Sequence, residues 1–113
     1  MRVTNLTKNT VLADDAAIAQ TALKRLKGLL GQSSLAAGKA LVIRPCNSVH
    51  TFFMRFSIDL LFVDKNNRVV KACKEIRPFR LTPVYFQSAF CIELPAGVVN
   101  SSNTQESDQL SIE

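Results

Sequence analysis

Residues Pro45 to Asp64 read PCNSVHTFFMRFSIDLLFVD and set the only His of the chain, one Cys, one Arg and two Asp among four Phe. Three chemistries are open to such a set. Cys46 and His50 are the residue types of a thiol nucleophile and its base. An extended chain would hold them about 13 Å apart, so contact needs a turn at Asn47-Ser48. Cys46, His50, Cys73 and Cys91 are also zinc-ligand types, but they lack the close Cys-x-x-Cys pair that anchors most zinc sites. The third chemistry starts from Asp59, between Ile58 and Leu60, and Glu93, between Ile92 and Leu94. A carboxylate inside an apolar strand is costly without a partner, and Arg55 and His50 are the local choices. The leading reading is a polar pocket at a β-barrel end, in which Asn47, Ser48, His50, Arg55, Asp59 and Glu93 converge on a small polar or anionic ligand without catalysis. Its competitor is a hydrolase-like or metal-assisted enzyme using His50 with Cys46 or Asp59. Neither a metal nor another cofactor is expected, Cys46 and His50 being weak metal candidates, because unpaired Cys in strands usually serves as a small core residue.

These groups have to be positioned by strands. From Lys39 to Leu94 the sequence runs in short segments rich in Val, Ile and Phe, separated by polar or Pro-containing breaks. Ala40–Arg44 is stopped by Pro45, Val49–Phe53 alternates, and Ile58–Val63 is so apolar that both of its faces should be covered. Asn66-Asn67 then suits a tight turn into Arg68–Cys73, since Asn tolerates positive φ. Pro78 and Pro83 bound a loop, and Tyr85–Leu94 resumes as strand up to Pro95 and Gly97. Upstream, Val11–Ala13 and Ala16–Gln20 read as extended around a bend at Asp14-Asp15. A short helix over Ala22–Leu30 follows, capped by Thr21 and ended by Gly31. The expected architecture is mainly β: a jelly-roll-like sandwich or partly closed barrel with one short N-terminal helix.

Length and composition set the outer limits. The 113 residues suit a single domain, 1–113, and 47% hydrophobic residues with four Gly and four Pro exclude collagen-like and globally disordered chains. Three Cys do not make a disulfide scaffold and Met1–Thr10 has no apolar signal core, so a reducing, cytoplasmic setting is expected. No apolar run is long enough to span a membrane, and on that ground no membrane role is expected. The formal net charge of +5 is uneven. Ser101–Glu113 carries three acidic and no basic residues, leaving fourteen basic and six acidic, or +8, in the body. About 101–113 could fray, or Leu110 and Ile112 could form a last edge strand. Lys65, Arg68, Lys71, Lys74, Arg77 and Arg80 recur every three residues, a period matching neither a strand nor an α-helix face. They read as a solvated rim ahead of a nucleic-acid or protein interface, and a monomer is assumed.

The order of several motifs resembles the domain of unknown function 192 family, small prokaryotic and bacterial-type proteins. They are Arg25 with Gly28–Gly31, Leu41–Arg44, Pro45–Phe52, Met54–Phe56, Ile58-Asp59, Phe62–Asp64, Arg68–Val70, Arg77-Pro78 with Arg80, and Glu93–Gly97. Ser57 stands where the family usually has Pro, and Asn67 and Ser107 stand where it usually has Gly. The resemblance implies a mainly β, jelly-roll-like fold and no assigned activity.

Overall fold

The structure, a computed structural model, describes residues 1–19, 34–52 and 54–113. The chain is mainly β, with eight strands in two sheets among the described residues and no closed barrel. Strands β1 (Val3–Asn5), β2 (Thr10–Ala13) and β8 (Leu110–Ile112) form an antiparallel sheet in the order β2-β1-β8. The larger sheet has the order β3-β4-β7-β5-β6. It is built from β3 (Asp15–Ala19), β4 (Lys39–Ile43), β5 (Ile58–Val63), β6 (Val69–Ile76) and β7 (Phe90–Pro95). All of its pairings are antiparallel except β3 with β4.

Side-chain alternation divides the large sheet into two faces. Val42, Leu61, Val63, Phe90, Ile92 and Leu94 point to the inner face, where they pack with Val3, Leu12, Ala13 and Leu110 of the small sheet in one buried cluster. Leu60, Phe62 and Cys91 point to the outer face and pack with Val49, Cys46, Cys73 and Tyr85. Further along that face Ile58 and Leu41 meet Met54, Phe56 and Leu35. Ile58–Val63 is buried at every position, as its unbroken apolar run requires.

One expected strand is absent and another is shorter than expected. Within 49–52 the only ladder contact is an isolated bridge from His50 to Leu81, and the 85–94 strand begins only at Phe90. Both segments instead lie over the outer face, because Val49 and Tyr85 find apolar cover there that an extra sheet strand would not offer. The acidic end does not fray: Leu110–Ile112 pairs with β1. The short helix α1 (Val98–Ser101) follows β7, while the helix expected over 22–30 lies outside the described residues.

Candidate functional site

The six candidate residues divide between the two faces of the large sheet and the solvent. Asp59 is fully buried on β5, paired with Leu94 of β7, and shares the inner face with Leu61 and Val63. Its Oδ1 accepts the Glu75 N–H at 2.8 Å, and its Oδ2 accepts the N–H groups of Gly97 and Val99 at 3.1 and 2.8 Å. A bulge in the β5–β6 pairing presents Glu75, and Gly97, in the left-handed region at φ 100°, turns the chain into α1. Asp59 therefore braces three backbone donors and is closed off from solvent.

Glu93 points the other way. It pairs with Leu41 on one side and Leu60 on the other, so its carboxyl enters the outer face between two apolar clusters. Only 4% of the residue is exposed, and Oε2 has no hydrogen-bond partner among the described residues. Burial pushes its carboxyl up to about 7. A buried acid of this kind is either protonated or waiting for a donor.

His50 is exposed and stacks on Phe52 with ring centroids 5.3 Å apart, and Arg55 is exposed as well. Asn47 is exposed and its carbonyl accepts the Tyr85 N–H, while the Ser48 carbonyl accepts a hydrogen bond from the Cys46 Sγ at 3.3 Å. Among the described residues no hydrogen bond or ion pair joins any two of Asn47, Ser48, His50, Arg55, Asp59 and Glu93 through their side chains. Nor does one join His50 to Cys46 or Asp59, so the described residues hold no nucleophile relay of the expected kind.

Cys46, Cys73 and Cys91 all border one apolar cluster. Burial, then the Cys46 thiol, pushes the Cys91 thiol strongly up, and burial also raises Cys73. Both shifts oppose thiolate formation. Among the described residues no three His, Cys, Asp or Glu side chains are grouped to hold a metal ion.

Two polar clusters escaped sequence reasoning. The buried Thr51 donates from Oγ1 to the Arg77 carbonyl at 2.6 Å and accepts the Arg80 N–H at 2.9 Å, clamping one covering segment to the other. Near the small sheet, Asn5 Nδ2 donates to Thr104 Oγ1 and to Asp108 Oδ2, which also takes the Lys8 ammonium at 2.9 Å and the Gln105 N–H. A lone Thr and a distant Asn-Asp pair carry no local signal, since their partners lie 26 and 103 residues away.

The family model described as DUF192, Uncharacterized ACR, COG1430, matches residues 3–112. The chain belongs to this family. It is 32% identical over 110 residues to a UPF0127 protein of Thermococcus sibiricus, covering 94% of this chain and 71% of that one. To the UPF0127 protein PH1112 of Pyrococcus horikoshii it is 31% identical over 111 residues, with 96% of both chains covered. A crystal structure of a protein of unknown function from Novosphingobium aromaticivorans superimposes with a TM-score of 0.86 at 18% identity, covering 99% of this chain and 84% of that one. The likeness shows that the two chains share a fold, and two of the departures from the family pattern now have a meaning. Asn67 and Ser107, where Gly is usual, both have positive φ, 62° and 74°.

Proposed function

We propose that this domain is a non-catalytic binding module that takes a small polar ligand on the outer face of the large sheet, with Glu93 as its buried anchor. The observation that supports this reading is the Glu93 carboxyl, nine-tenths buried with an oxygen lacking a partner among the described residues. Such a group favours a ligand that brings a hydrogen-bond donor. Arg55, exposed on the segment that covers this face, supplies positive charge for an anionic end of the same ligand, and the exposed His50 ring offers a hydrogen-bonding group beside it. Asp59, committed to three backbone donors, has no part in binding. Cys46, Cys73 and Cys91, none of them in a disulfide among the described residues, support a reducing, cytoplasmic setting.

Free amino acids carry both a donor and an anionic end and are the first probes. The expected outcome is a small-molecule adduct in native mass spectra, or amide shifts at Leu41, Leu60 and Glu93 on adding an amino-acid mixture, both absent in Glu93→Gln. An unliganded mass and unmoved amides in the parent chain would overturn the reading.

A further inference from the structure

The two segments that cover the outer face also carry an unusual surface. Phe79, Leu81, Val84 and Phe86 are exposed to 62%, 70%, 46% and 88% within eight residues, and Phe52 stands beside them on the other segment. No Asp or Glu occurs from Pro45 to Ile58 or from Arg77 to Ile92, while Arg55, Arg77, Arg80 and His50 are all exposed. None of these three Arg is in an ion pair among the described residues.

We infer that this strip is a docking surface for an anionic lipid bilayer, with the Phe, Leu and Val side chains entering the headgroup boundary and the Arg side chains meeting the phosphates. Charge complementarity is what selects this occupant. A second copy of the chain would bring the same Arg residues against themselves. Single-stranded nucleic acid would use aromatic faces and cations, but the exposed Leu81 and Val84 offer bases nothing to stack on. A bilayer accepts protruding apolar side chains of any kind, whereas a protein partner would have to match them in shape.

The display is also held in place before binding. Thr51 clamps Arg77 and Arg80, Thr82 Oγ1 accepts the Val49 N–H, and the Tyr85 N–H reaches the Asn47 carbonyl. Pro78 and Pro83 stiffen the same stretch, so docking orders few side chains and no backbone. Such surface attachment is independent of spanning: among the described residues no helix is long and apolar enough to cross a membrane.

The chain has no Trp, so Phe86→Trp introduces a single indole at the most exposed large apolar side chain among the described residues. With phosphatidylcholine vesicles containing phosphatidylglycerol, its emission should move to the blue and the protein should sediment with the vesicles. Pure phosphatidylcholine or free glycerol phosphate should produce neither effect. Arg77→Gln with Arg80→Gln should lower partitioning about thirtyfold. Leu81→Ser should reduce the blue shift, with circular dichroism confirming the fold of each variant. An unmoved emission with the anionic vesicles would overturn the proposal. So would an equal shift with free glycerol phosphate, or binding to polyaspartate as strong as to vesicles, which would mark an acidic protein as the partner.

Discussion

Asp59 and Glu93 are the same chemistry in two environments, and each makes its own prediction. Asp59→Asn replaces an acceptor oxygen with an amide that faces N–H donors of Glu75 or of Gly97 and Val99. The expected cost is about 1 to 3 kcal/mol in denaturant unfolding, with ligand binding at the outer face retained. Glu93 keeps its proton up to about 7 when folded, against an ordinary value of 4.5. The folded state thus holds the extra proton between those values, so stability falls as pH rises from about 4.5 to about 7 and is level beyond. The loss is on the order of a few kcal/mol. Unfolding curves for Glu93→Gln should lack this slope, and an unchanged pH dependence in that variant would show that another group causes it.

At the scale of elements, the turns at Asn67 and Ser107 place residues other than glycine in the left-handed region. The β5–β6 hairpin turn is held by Asp64, whose Oδ1 accepts the N–H groups of Asn66 and Arg68, and Asn67 adopts its positive φ at little cost. Ser107 at φ 74° has no such tolerance, yet its N–H is fixed to the Val69 carbonyl next to the Asp108 cluster. Ser107→Gly should therefore raise stability by about 0.5 to 1 kcal/mol, measured by chemical denaturation. Asn67→Gly should change it less, because Asn already accepts the left-handed region.

For the whole molecule, the acidic end is a structural part. Leu110 belongs to the buried cluster between the sheets, Glu106 accepts the Ala72 N–H of β6, and Asp108 takes Asn5 and Lys8. Although burial opposes its charge, the Asn5, Lys8 and Gln105 bonds hold the Asp108 carboxyl below the usual range. Removal of residues 104–113 should strip β1 of one neighbour and open the core, costing more than about 3 kcal/mol. Thermal unfolding of the truncated chain would check this, and an unchanged midpoint would mean that β8 is dispensable.

Much of this was legible from local pattern. Apolar runs bounded by Pro and Asn predicted a strand over 40–44, found one residue earlier at Lys39–Ile43, the strand Ile58–Val63 and the hairpin at Asn66-Asn67, because strand burial and turn geometry are decided by a few neighbouring residues. The family motifs also lay on the surface of the sequence. The same local reading extended Tyr85–Leu94 and Val49–Phe53 too far, since apolar alternation looks alike in a strand and in a segment lying over a sheet. Only the tertiary structure decided where the carboxyls point. Asp59 and Glu93 sit in similar apolar strands, but the register of β5 against β7 pairs Asp59 with Leu94 and Leu60 with Glu93, and a one-residue step turns a side chain to the opposite face. No sequence distance encodes that step, so one carboxyl became a backbone brace and the other an unpartnered acid on the outer face.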